Sequence, residues 1–134
     1  MTDDELLASF EAARLPAAEF HHRDHVHVAF LYLCRHSALE AIERFSSALK
    51  RFAIANGKPN LYNETVTWAF VLLIRERMAR AKGTMTWPQF EEANADLLTW
   101  RDNILKKYYR EETLASDLAK NTFLFPDKTG SCAH

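Results

Sequence analysis

The 134-residue chain has few residues that break helices, since it contains only 3 glycines and 4 prolines. This scarcity, together with many Ala, Leu, Glu, Lys and Arg residues, favours an all-helical fold. The chain has only 2 cysteines, Cys34 and Cys132, whereas a small secreted domain stabilised by disulfides normally has more. We therefore expect a reducing, cytoplasmic environment.

Long apolar runs and an excess of one charge are also lacking. No apolar run reaches the roughly 18 residues that a transmembrane helix needs, and the acidic residues 1–5 do not resemble a signal peptide. The formal net charge is −1 with both signs interspersed, so neither a membrane nor a nucleic acid is an expected partner. No nucleotide-binding or flavin-binding motif is present. The hydrophobic share of 48% is typical of one globular domain, predicted over residues 1–134.

The spacing of apolar residues predicts a compact all-α bundle of about six helices, two of them central and apolar on most sides. One central helix is predicted to begin after Asp24 as its N-cap, and the other to cover roughly residues 61–81. The surrounding helices are predicted at residues 3–15, from Ser37 to Asn56 and Gly57, after Thr86, at about residues 99–109, and at residues 112–120. From about residue 121 the chain is expected to be extended, with its last residues loose.

A dense histidine cluster is the most informative feature that is present. Four of the 6 histidines, His21, His22, His25 and His27, lie within seven residues at the start of a central helix. Histidine is the commonest metal ligand and titrates near neutral pH, so the cluster indicates chemistry. On a helix His22 and His25 share a face, whereas His25 and His27 point to nearly opposite sides. The alternative is that each histidine simply hydrogen-bonds to nearby backbone.

Glu64 is the predicted partner of these histidines, because it lies at the first turn of the other central helix. If the N-terminal ends of the two central helices meet, the carboxylate and two imidazoles would converge on one pocket. Tyr62, Asn63 and Thr67 would then contact the substrate. The alternative role for Glu64 is a charge that interacts favourably with the helix dipole.

Two motifs resemble those of a family of small, largely uncharacterised bacterial proteins. The stretch Phe20-x-His22-x-x-His25-Val26 is similar to its opening motif, and residues 62–67 are similar to its second, Tyr-His-Glu-Thr-(Ile/Val/Leu)-Thr. The resemblance implies a joint site of two histidines, a third histidine and a glutamate, and Asn63 takes the place of the third histidine here. Asparagine is a poorer ligand for zinc or iron than imidazole. A two-histidine, one-carboxylate site, a metal-free site and a site altered at this position all stay open.

The predicted function is that of a small cytoplasmic enzyme that acts on a small, partly apolar molecule. His22, His25 and Glu64 would hold a divalent transition metal, Zn or Fe, and Glu64 and His25 would be the catalytic groups. One alternative is a non-catalytic helical module that binds a small ligand or a metal. Another is a metal-free isomerase or lyase with Glu64 as base and a histidine as acid. A structural helical domain and a homodimer are further alternatives.

Overall fold

Seven α-helices lie in residues 1–128, the part of the chain that the computed structural model describes. They are α1 (Asp3–Glu11), α2 (His22–Arg35), α3 (Ala38–Ala55), α4 (Glu64–Arg80), α5 (Trp87–Ala93), α6 (Glu111–Leu114) and α7 (Asp117–Asn121). Short 3-10 helices cover Ala17–Glu19, Pro59–Leu61, Ala95–Leu97 and Ile104–Lys107. These residues contain no strand, so the predicted all-helical fold is confirmed. The predicted loose end, with Cys132 and His134, lies outside the described residues.

Helices α2, α3 and α4 pack against one another and form the centre of the bundle. Buried side chains lie on several sides of α2, among them Val28, Phe30 and Leu31, and α4 buries Val71 and Ile74. A helix that is apolar on several sides must be enclosed by neighbours. The two helices predicted to be central are therefore both part of this centre, and α3 is a third member of it. Within residues 1–128, none of the helices combines the length and apolar character that a membrane span requires.

Several helix ends lie where the sequence predicts them. The Ser37 hydroxyl accepts a hydrogen bond of 3.3 Å from the Glu40 N–H and so caps α3. The Thr86 hydroxyl caps α5 in the same way. After α3 the chain turns at Gly57 with φ +69°, a conformation that favours glycine.

The start of α2 differs from the prediction. His21, not Asp24, is the N-cap, and α2 begins at His22. The Asp24 carboxylate lies three residues further on and accepts a hydrogen bond of 3.0 Å from the His21 N–H. Because His22 is already helical, helix geometry fixes its direction relative to His25.

The predicted starts and ends of two other helices were also wrong. Helix α1 ends at Glu11 rather than near residue 15, because Ala13 adopts the left-handed conformation with φ +54°. Helix α4 begins at Glu64 rather than at residue 61, because Asn63 is extended and its side-chain oxygen accepts a hydrogen bond of 3.0 Å from the Val66 N–H. A residue that caps a helix in this way cannot lie inside it.

The predicted helix at residues 99–109 is mostly absent. Only the 3-10 helix Ile104–Lys107 forms, because Asp102 has φ +54° and interrupts any longer helix. The single helix predicted at residues 112–120 is divided into α6 and α7, since the Ser116 hydroxyl caps α7 by accepting from the Ala119 N–H at 3.1 Å.

Thr65 connects the C-terminal segment to α4. Its fully buried hydroxyl lies 2.9 Å from the Ala119 carbonyl oxygen and 2.8 Å from that of Thr122, and it accepts a hydrogen bond of 3.1 Å from the Leu124 N–H. One side chain thus holds the end of α7 and the tail that follows it. The predicted docking of this tail is confirmed for Phe123, which stacks on Trp68, but not for Phe125, which is exposed.

Candidate functional site

A cavity of about 960 Å³ lies between α2, α3, α4 and the chain around residues 98–115. Much of its wall is apolar and includes Phe20, Phe45, Phe52, Phe70, Ile74 and Leu105. Pockets that hold small organic ligands commonly have volumes of roughly 300–1,000 Å³ and apolar, aromatic walls. The cavity therefore has the size and lining that suit a small molecule.

His22 and His25 both line this cavity, one helical turn apart. His21 lines it too, from an exposed position before the helix. His27 lies on the other side of α2, where its ring stacks on Trp87 with the centroids 4.3 Å apart. This arrangement confirms the predicted direction of the histidines, because a helix turns about 100° per residue.

The His22 ring is held in one orientation. Its Nε2 atom donates a hydrogen bond of 2.9 Å to the Leu97 carbonyl oxygen, so Nε2 carries the proton and Nδ1 can accept. The ring also packs against Phe70 and Trp100, with centroids 4.8 and 5.3 Å away. Burial lowers the pKa of His22, although the Leu97 carbonyl opposes that change.

His25 lies deeper in an aromatic environment. Its ring is 4.5 Å from the Phe20 ring and 6.2 Å from the Phe52 ring, between centroids. Burial, with a smaller contribution from His22, lowers the pKa of His25 to about 4, so the imidazole is neutral at physiological pH. Within residues 1–128 it has no hydrogen-bond partner. Its one donor and one acceptor are therefore available to a ligand.

Tyr62, Asn63 and Thr67 also line the cavity, as predicted for substrate contacts. Much of their hydrogen-bonding capacity is already used by the protein. The Asn63 amide nitrogen donates to the Leu114 carbonyl oxygen at 2.7 Å while its oxygen caps α4, and the Thr67 hydroxyl donates to the Asn63 carbonyl oxygen at 2.7 Å. Their role as ligand contacts stays a prediction.

Glu64 does not line the cavity. Its carboxylate accepts a hydrogen bond of 2.5 Å from the Tyr62 hydroxyl and lies 3.8 Å from the Lys50 ammonium, beside a separate pocket of about 210 Å³. Thr67 lies one helical turn after Glu64 on α4 and lines the cavity, but the Glu64 side chain is held by Tyr62 and lies near Lys50. The contacts of the Glu64 carboxylate, and not the helix period, therefore separate it from the cavity.

Of the three residues predicted to hold one metal, His22 and His25 line the cavity and Glu64 does not. Among residues 1–128 no group of three or more His, Cys, Asp or Glu side chains is placed to hold a metal ion. The physical reason is the separation of Glu64 from the cavity. Metal binding by the two histidines stays a prediction.

Comparison with family models, with curated proteins and with solved structures found no match. The resemblance of the two motifs to a bacterial family therefore stays a prediction. The function has to be argued from the geometry of the cavity.

The aromatic wall contains residues whose role the sequence did not reveal. Phe45 and Phe52 are seven positions apart on α3, with Leu49 between them, and this spacing predicts a stripe on one helix face. Such a stripe looks the same in sequence whether it packs against side chains or surrounds a cavity. Phe70 of α4 and Trp100 also line the cavity.

Proposed function

We propose that this protein binds a small, mostly apolar molecule in the cavity between α2, α3 and α4. The observation that carries the proposal is the combination of an aromatic chamber of about 960 Å³ with one deeply placed imidazole, His25, that has no partner within residues 1–128. The neutral imidazole has one donor and one acceptor at the cavity wall, and a ligand could pair with them.

Binding is better supported than catalysis by Glu64 and a histidine. Acid/base chemistry by that pair requires both groups to reach one ligand. His25 lines the cavity, whereas Glu64 contacts Tyr62 and Lys50 outside it. The metal-free isomerase or lyase would therefore need a base other than Glu64.

Titration with N-phenyl-1-naphthylamine, an uncharged dye that fluoresces in apolar surroundings, tests the proposal. We expect saturable binding of one dye per chain. The Ala53→Trp variant fills the cavity from α3, because Ala53 is a lining residue. The affinity of this variant for the dye should be at least about tenfold lower than that of the unaltered protein, which corresponds to about 1.4 kcal/mol of binding free energy.

Ala55→Trp is the matched control, since Ala55 lies on the same helix but is exposed and does not line the cavity. It should bind the dye as the unaltered protein does. Circular dichroism and the melting temperature show whether both variants fold. Equal binding by Ala53→Trp and Ala55→Trp, or no dye binding at all, would exclude this cavity as the binding site.

A second candidate function uses a divalent metal bound between His22 and His25 in the same cavity. It is supported by the hydrogen bond from His22 Nε2 to the Leu97 carbonyl oxygen, because metal-ligating histidines usually donate their other N–H to such a group. The remaining positions would be open to water or substrate. This second candidate is the predicted metal-assisted enzyme, except that Glu64 is not a metal ligand.

Metal analysis of untagged protein after loading with zinc or iron separates the two candidates. Stoichiometric metal that is lost in His22→Ala but kept in Glu64→Ala would support the metal version. Asn63→His should then raise the metal affinity, because residue 63 lines the same cavity. Protein that binds the dye but no metal would leave ligand binding as the function.

A further inference from the structure

The wall around His25 is built from aromatic rings in contact with one another. Phe20 and Phe52 both pack on the imidazole, and their own centroids are 5.2 Å apart at an interplanar angle of 61°. Aromatic rings favour offset or edge-to-face contacts with other rings over other apolar groups. A flat aromatic ligand would extend this cluster, since Phe45 and Phe70 also line the cavity.

The polar groups of the wall are not equally available. His22, Asn63 and Thr67 donate to backbone carbonyl oxygens of the protein. His25 has no such bond within residues 1–128. A neutral imidazole offers one donor and one acceptor, and a hydroxyl group can pair with either.

The charges of the wall lie at its exposed rim. Arg23, Lys58 and Lys106 line the cavity, and all three are exposed. Arg23 is paired with Glu91, and Lys106 lies 2.8 Å from Asp102. Arg23 and Lys106 are thus already paired with carboxylates at the rim.

Within residues 1–128, the Lys and Arg side chains that line the cavity are Arg23, Lys58 and Lys106, and none of them is buried. A carboxylate drawn away from this rim into the aromatic part of the cavity would lose its hydration without gaining a charged partner, which is unfavourable. An uncharged hydroxyl group loses far less hydration free energy on the same transfer.

From these observations we infer that the cavity takes an uncharged aromatic alcohol or phenol, whose ring packs among Phe20, Phe52 and Phe70 and whose hydroxyl hydrogen-bonds to His25. This inference rests on the proposed function, since it names the class of ligand for the same cavity. Aromatic carboxylates and unsubstituted aromatic hydrocarbons of the same shape should bind more weakly.

Displacement of N-phenyl-1-naphthylamine by three ligands of one shape tests the inference: 2-naphthol, naphthalene and 2-naphthoate. We expect 2-naphthol to bind about threefold to tenfold more tightly than naphthalene, because one neutral hydrogen bond raises the affinity by about that factor. 2-Naphthoate should bind at least about tenfold more weakly than 2-naphthol.

The variant His25→Phe should remove the advantage of 2-naphthol over naphthalene, because phenylalanine keeps the aromatic packing but cannot hydrogen-bond. His25→Gln, which restores a donor and an acceptor, should recover part of that advantage. The control His36→Phe makes the same change at the far end of α2, away from the cavity, and should bind all three ligands normally.

Each outcome is decisive. If 2-naphthoate binds most tightly, or if 2-naphthol and naphthalene bind equally, the inferred ligand class is wrong while dye binding still supports the cavity. An unchanged preference in a folded His25→Phe variant excludes His25 as the anchor. If the dye itself does not bind, the proposed function fails, and this result is distinct from failure of the ligand class.

Discussion

The hydroxyl group of Tyr62 donates a hydrogen bond of 2.5 Å to the carboxylate of Glu64. Burial, with a further contribution from Glu64, raises the pKa of Tyr62, so the phenol keeps its proton at neutral pH. The side chain of Tyr62 borders both the large cavity and the small pocket that contains Glu64. Glu64 therefore positions a wall residue of the cavity.

We predict that Glu64→Ala lowers the free energy of unfolding by about 1–3 kcal/mol, because it leaves a half-buried hydroxyl without its charged acceptor. Glu64→Gln should lose less stability, since its amide oxygen can still accept the hydrogen bond from Tyr62. Both variants lose the negative charge at the N-terminus of α4, so that loss is the same in each. Urea unfolding of the two variants measures the difference. In the Glu64→Ala background, a further Tyr62→Phe change should cost almost nothing. If the double variant loses as much unfolding free energy as the two single variants added together, this coupling is absent.

Acid should destabilise the fold through His25. Its pKa is about 4 in the folded protein against an ordinary value of 6.5, so the unfolded chain binds the proton first as the pH falls. The contribution of the neutral imidazole is complete above about pH 6.5 and is lost as the pH falls toward 4, by about 3 kcal/mol in total. Urea unfolding at a series of pH values measures it.

His25→Phe is the control for this pH dependence. Between pH 6.5 and 4 its stability should fall less steeply than that of the unaltered protein. His22 and His27, whose pKa values burial also lowers, are present in both proteins and cancel in the comparison. Two parallel curves would show that His25 titrates normally.

Asn63 should contribute to stability through both ends of its amide. Its oxygen caps α4 at the Val66 N–H, and its nitrogen donates to the Leu114 carbonyl oxygen. Asn63→Ala removes both bonds and should cost about 1–3 kcal/mol. Asn63→Asp keeps the cap and should cost less. Thermal unfolding of both variants tests the order, and an equal loss in Asn63→Asp and Asn63→Ala would show that the bond to Leu114 dominates and that the cap contributes little.

Thr65→Val should release the C-terminal segment from α4. The loss of its buried hydroxyl leaves the Leu124 N–H without its acceptor, and we expect a cost of about 1–3 kcal/mol. Amide exchange at Leu124 should become faster. Thr67→Val is the matched control, because the Thr67 hydroxyl donates one turn back, to the carbonyl oxygen of the N-cap Asn63, and within residues 1–128 it has no hydrogen bond to the C-terminal segment. Unchanged exchange at Leu124 in Thr65→Val would contradict the assignment.

Much of the fold could be predicted because its signals are local. Ser37 and Thr86 cap the helices after them, and Gly57 follows the end of α3, since caps and positive φ values depend on neighbouring residues. The predicted helix at residues 99–109 failed because nothing in its apolar pattern indicated that Asp102 would take a left-handed conformation. Local propensity is a weak guide in such short segments.

The sequence by itself determined the helical character of this protein, its two central helices and the common direction of His22 and His25, because all of these depend on the regular period of one helix. Only the tertiary structure decided that those helices enclose a cavity, that Phe45 and Phe52 line it, and that Glu64 lies outside it. The reason is that the relative placement of α2, α3 and α4, and the contacts of Glu64 with Tyr62 and Lys50, depend on the packing of residues that are not neighbours on one helix.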